Sequence, residues 1–150
     1  MPTLNGVVLG PNSPAVGLRP CRSESDEEQL CDDHVARIAG KEAVVKFSQA
    51  KATQQTRGIS DRRYRVLGHA FWFEVKAEDG KLTESQHQFL ERELDYGNLA
   101  CCGTLDDLKT LLSYFSSAGA DPHTWCRLRV QRWAAKGYRK EGHPRKRRAR

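Results

Sequence analysis

Asp61, Glu74 and Lys76 place two carboxylates and an ammonium close together in the middle of the chain. Glu74 and Lys76 are two residues apart, so on a strand both side chains project from one face. Asp61 stands just before the preceding strand-like run, residues 62–67. If the two runs pair as a hairpin, its carboxylate can approach Glu74 across the sheet. Two hard carboxylate oxygens, with the Val75 carbonyl as a third donor, suit Mg²⁺ or Mn²⁺. Such a metal polarises a bound phosphate and lowers the pKa of a bound water. Lys76 would then orient the water or stabilise charge building on the phosphate. The same Glu-x-Lys pair on an exposed face is an ordinary solvated ion pair, so the weight rests on what surrounds it.

The elements that must position these groups can be read from capping and periodicity. A first helix is expected over 26–39. Ser25 and Glu28 supply a capping box, Gly40 a stop, and Leu30, Cys31, His34, Val35 and Ile38 an apolar stripe. Glu27 falls near the middle of that stripe and Glu28 on its flank, about a quarter-turn away. Residues 43–47 suit a short strand and 51–58 a polar loop. Residues 62–67 and 70–76 read as two strands joined at Gly68-His69. Thr83 and Gln86 cap a further helix carrying Phe89, Leu90 and Leu94, and residues 99–102 form a short apolar strand. Strand, helix, strand implies a crossover and a parallel pair. Thr104 caps a helix with the stripe Leu105, Leu108, Leu111, Leu112 and Phe115. Asp121-Pro122 opens a last helix containing Trp125, Leu128 and Trp133. The order is α-β-β-β-α-β-α plus a basic C-terminal helix and tail: an α/β layer with a mixed sheet.

Gly58-Ile59-Ser60-Asp61, then Phe73-Glu74-Val75-Lys76, then the run from Gly80 to Leu90 resemble the VRR-NUC nucleases of the PD-(D/E)XK superfamily. The resemblance covers residues 24–116. It implies a restriction-endonuclease-like core over 23–118, with 1–22 a flexible leader and 119–150 a basic extension. It further implies that Asp61 and Glu74 bind Mg²⁺ or Mn²⁺, that Lys76 is the catalytic lysine and that Gln86 assists. The family also places a glutamate of the first helix near the metal. Glu27 matches best, because a carboxylate within an apolar stripe is costly unless paired or coordinated, with Glu28 the alternative. Gln86 also has a purely structural role open to it, as the third residue of a capping box. Ser60 stands where the family has proline, which would loosen the loop holding Asp61. Small relatives of this kind act on branched DNA, Holliday junctions included, as dimers. A homodimer in a bacterial or phage-infected cytoplasm is the corresponding expectation.

Of the 25 basic side chains, eleven lie within 122–150, where a single acidic residue accompanies them. That imbalance points to a polyanionic partner. Arg127, Arg129, Arg132, Lys136, Arg139 and Lys140 are expected to hold the DNA backbone without choosing sequence, and 138–150 to be disordered. Trp125 and Trp133 are expected to pack on the core. Five cysteines without a C-x-x-C pair read as reduced thiols. No apolar run is long enough to span a membrane. Two other classes compete: a non-catalytic DNA-binding module on a nuclease-like fold, and a basic structural protein associated with RNA.

Overall fold

The computed structural model describes the backbone of residues 3–4 and 7–8, and residues 21–47 and 58–141 in full. Thr3–Leu4 (β1) and Val7–Val8 (β2) pair antiparallel. The rest of the expected leader up to residue 20, residues 48–57 with all of the expected loop but Gly58, and the tail from 142 lie outside the described residues.

The first helix, α1 (Glu24–Ala39), starts earlier than its sequence suggests. Ser23, not Ser25, is the N-cap: its hydroxyl accepts from the Asp26 N–H at 3.0 Å, and Asp26 accepts from the Ser23 N–H. The cap is therefore a Ser-x-x-Asp box, which releases Glu28 for other work. The buried face is also rotated. It consists of Glu27, Cys31, Asp32 and Val35, while Ile38 is half exposed. Two acids thus lie on the inner side of α1.

After a 3-10 turn (Lys41–Ala43) come β3 (Val44–Lys46), β4 (Arg62–Val66) and β5 (His69–Val75). The β4–β5 hairpin turns at Leu67-Gly68, one residue earlier than expected. Both residues have positive φ, 52° and 79°, which matches the turn to the strand twist. Then follow α2 (Glu84–Asp95), β6 (Leu99–Gly103), α3 (Leu105–Phe115) and α4 (Pro122–Ala134). The sheet order is β3-β4-β5-β6, antiparallel except for the parallel β5–β6 pair. An α/β fold with a four-stranded mixed sheet and four helices is thus present among the described residues.

Alternation along β5 divides the sheet faces. Phe71 meets Phe115 of α3, while Trp72 meets Phe89 of α2 edge-on at 5.3 Å and donates to Glu93. The core gathers Tyr64, Phe71, Phe73 and Val75 from the sheet and Leu90, Leu94, Leu108 and Leu111 from the helices. The C-terminal helix, expected as an appendage, completes this core. α4 packs chiefly on edge strand β6 and buries Cys126, Val130 and Trp133, with Trp125 half-buried beside Tyr114. Covering an edge strand in this way removes a template for unwanted pairing. Leu128, on the same helix, is exposed. All five cysteines are free, four of them buried. Among the described residues, no helix is long and apolar enough to cross a membrane.

Candidate functional site

Where β5 ends, the first turns of α1 and α2 converge on a cavity of about 240 Å³ lined by Glu24, Glu28, Gly58, Ile59, Asp61, Glu74, Thr83, Gln86 and Arg139. Each wall has a local cause. Glu24 and Glu28 are one turn apart on α1 and share a side. Glu74 is the outward alternate of β5, next to core residues Phe73 and Val75. Gln86 is the third residue of α2. Its amide oxygen accepts from the Thr83 N–H at 2.9 Å while its Nε2 donates to Glu74 at 3.2 Å. The capping role and the site role are therefore compatible, because the side-chain amide has both an acceptor and a donor end.

The loop carrying Asp61 is held tightly. Gly58 has φ 79°, and a Cβ there would fall 2.2 Å from the Ser85 backbone and 2.6 Å from the Gln86 nitrogen. Only glycine allows the loop to lie against the start of α2. Ser60 is fully buried and donates to the Phe73 carbonyl at 3.0 Å. The expected loosening at this serine is thus offset, since its hydroxyl ties the loop to β5.

Two buried cations stand behind the carboxylates. Lys76 is 1% exposed, with Nζ 3.5 Å from Glu24 and 3.7 Å from Glu74. Arg62 is held from the other side by Asp32 through two hydrogen bonds of 2.9 and 3.1 Å, and Tyr64 donates to the same Asp32 at 2.7 Å. The guanidinium then reaches Glu28 at 3.1 Å and Asp61 at 3.2 Å. Burial opposes the charge on Arg62, yet its bonds and attraction to Asp32, then Asp61 and Glu28, hold its pKa above the ordinary value. Glu74 behaves oppositely. Burial pushes its carboxyl up to about 8; Lys76 works against this, and the carboxylates of Asp61, Glu24 and Glu28 add to it. Burial also raises Glu28, against the pull of Arg62. A carboxylate crowded by others and removed from water favours any bound cation that replaces its proton.

Asp61, Glu74 and Gln86, expected at the centre, therefore line one cavity, with Lys76 behind them. Glu27 is elsewhere. About 100° around α1 from Glu28, it accepts from the Leu105 N–H at the start of α3 at 2.9 Å and from Arg22 at 2.9 Å. Its burial is explained by capping α3, where a carboxylate meets unsatisfied N–H groups and the positive end of the helix dipole. Val75 packs its side chain in the core and does not line the cavity. Among the described residues, no three His, Cys, Asp or Glu side chains are grouped as a metal cluster. Mg²⁺ asks for less than that, because it keeps waters and takes one or two carboxylates plus substrate phosphate oxygens. Asp61 and Glu74 are such a pair, and their hard oxygens fit it.

The basic residues of the C-terminal part are not equivalent. Arg127 pairs with Asp95 at 3.1 Å. Arg129 pairs with Asp107 and lies over Trp125. Lys136 lies over Trp133 and donates to the Glu78 carbonyl at 2.7 Å. Arg129, Arg132 and Lys136 line a second, larger cleft that also holds Glu78, Asp106 and Asp107. Lys140 is exposed. Arg139 lines the carboxylate cavity itself, and 138–141, expected to be disordered, are docked on α2.

Sequence reasoning passed over Asp32, Arg62 and Glu24. A signal for Arg62 exists: it alternates with Tyr64 and Val66, both buried, so a cation there faces inward and requires an acid partner. Asp32 adjoins the stripe residue Cys31 on α1 and is that partner. Comparison of the chain with known protein families, with curated proteins and with solved structures finds no match.

Proposed function

We propose that the protein is a metal-dependent endonuclease that hydrolyses DNA phosphodiester bonds at the cavity between α1, β5 and α2. One observation carries this reading: Glu74 shares a cavity with Asp61 and Gln86 and is backed by a fully buried lysine, Lys76. A buried ammonium is expensive to maintain, and here it lies beside the carboxylates that would face a phosphate. Asp61 and Glu74 would hold Mg²⁺ or Mn²⁺, which supplies charge neutralisation at the phosphate and an acidified water. Lys76 supplies a fixed positive charge where negative charge builds on the phosphate oxygens, and Glu24 holds that ammonium in place. Gln86 fixes one oxygen of Glu74 through its amide. Arg62, anchored by Asp32, orients Asp61 and Glu28 before substrate arrives.

The element order and the mixed sheet accord with a restriction-endonuclease-like core, and the basic face of α4 accords with a DNA-backbone partner. Symmetric cutting of two strands, as on a four-way junction, needs two such sites and hence a homodimer. A second reading, a non-catalytic DNA-binding module, is favoured by one feature: Arg62 already pairs with both Asp61 and Glu28 without a metal. Labelled duplex, single-stranded DNA and a four-way junction, each incubated with Mg²⁺, Mn²⁺ or EDTA, decide between the two. Cleavage that needs metal and is lost in Glu74→Ala and Lys76→Ala is the expected result. Salt-sensitive binding with no cutting under either metal would leave the binding module.

A further inference from the structure

We infer that residues 137–141 form a strap belonging to the active site, in which Arg139 contacts the phosphate being cleaved. The inference rests on the nuclease reading and deepens it. It assigns a catalytic contact to a residue that charge alone would place in a diffuse backbone clamp.

The strap leaves α4 and crosses to the first turn of α2, where several bonds hold it. The Arg139 N–H donates to the Leu82 carbonyl at 2.7 Å, in a parallel bridge with Thr83. The Tyr138 hydroxyl lies 2.6 Å from Nδ1 of His87, whose Nε2 lies 2.8 Å from Glu91. Ser85 donates to Glu141. Before the strap begins, Lys136 is tied to the Glu78 carbonyl. Thr83 and Gln86 belong to the same turn, so the strap is registered against the residue that bonds Glu74. One anchor, Thr83, also lines the cavity, and Arg139 is the strap residue that lines it.

Charge gives this placement a purpose. The acidic side chains Glu24, Glu28, Asp61 and Glu74 all line the cavity, and of the two buried cations beside them, Lys76 and Arg62, the second is already shared with Asp32. A phosphodiester in such a cavity gains from each positive charge that meets it beyond that of the metal. Arg139 is exposed and, among the described residues, its guanidinium forms no salt bridge, although four carboxylates line the same cavity. Arg127 and Arg129, by contrast, are each paired with an aspartate. A guanidinium held by its backbone with its donors unspent is suited to a bidentate contact with phosphate oxygens.

The full-length chain tests this with two independent measurements. In EDTA, duplex binding by Arg139→Ala over a salt series should show a log K against log[salt] slope shallower by about 0.9, the release for one phosphate contact. With Mg²⁺ and saturating duplex, kcat should fall about 100-fold, the scale for losing one charge-stabilising donor. Arg139→Lys should recover part of that loss, with an unchanged unfolding midpoint. Tyr138→Phe, which removes one anchor of the strap without removing charge, should lower kcat while leaving the salt slope unchanged. If the wild-type protein cleaves and Arg139→Ala keeps its kcat, the inference fails and the nuclease reading survives, even where the salt slope falls. If the wild-type protein cleaves nothing, both fall.

Discussion

Replacing Glu74 with glutamine should make the metal-free protein more stable as pH rises, although it removes the residue at the centre of the site. The burial that suits this carboxylate to a cation raises its pKa from the ordinary 4.5 to about 8 in the folded chain. Below pH 4.5 folded and unfolded chains are both protonated at this position, and the position costs nothing. Between 4.5 and 8 the unfolded chain gives up its proton and the folded chain keeps it. Stability then falls with pH, by about 1.4 kcal/mol per unit where the two states differ by one proton. Integrated from pH 5 to 7.5, the loss is about 3 kcal/mol, a large share of the 5–15 kcal/mol typical of a domain. Glutamine stays neutral and keeps an oxygen to accept the Gln86 amide bond. The stability difference, Gln variant minus wild type, should therefore grow by about 3 kcal/mol across that window, or about 6–12 °C in unfolding temperature for a chain of this size. Urea unfolding in EDTA at several pH values, followed by the fluorescence of the three tryptophans, measures it. Glu28, also raised, contributes in the same direction to both proteins, so the difference reports chiefly on Glu74. A difference that stays flat with pH, or shrinks, would refute the argument that burial dominates at Glu74.

Two further substitutions separate scaffold from chemistry. Gly58→Ala should destabilise the protein by at least the 1–2 kcal/mol of a left-handed alanine, because its Cβ also meets the Ser85 backbone. It should lower activity per folded molecule by displacing Asp61; a urea midpoint and specific activity equal to wild type would show that the loop does not need this contact. Glu27→Ala should cost about 1–3 kcal/mol by leaving the buried Leu105 N–H without its acceptor, with Glu27→Gln milder and both retaining cleavage at saturating metal. Loss of cleavage in a folded Glu27→Gln protein would return this residue to the metal site.

Local information made much of the fold legible. Thr83 and Gln86 do form a capping box, Thr104 does start α3, and the leucine stripe of that helix is buried at the expected positions. Where two local solutions were equally good, the sequence could not choose. Ser23 with Asp26 and Ser25 with Glu28 are both acceptable caps, and the choice rotates the reading of α1. The error at Glu27 follows from the same limit. A carboxylate in an apolar stripe signals a buried partner, but periodicity does not say whether that partner is a metal or a backbone N–H at Leu105, far along the chain.

The sequence by itself determined the succession of helices and strands from α1 to α4, though not the β1–β2 pair, together with the one-sided placement of Glu74 and Lys76 and the concentration of positive charge in the C-terminal part. These depend on neighbours a few residues apart, through caps, alternation and composition. Tertiary structure alone decided that Asp32 holds Arg62 against Asp61 and Glu28, that Gly58 must be a glycine, and that Arg139 reaches a cavity built around Glu74. Each of these joins groups distant in sequence, and the burial of Arg62 is tolerable only because Asp32 is there. A buried charge is costly alone and stable when paired, so its meaning lies in the contact, which exists only once the chain has folded.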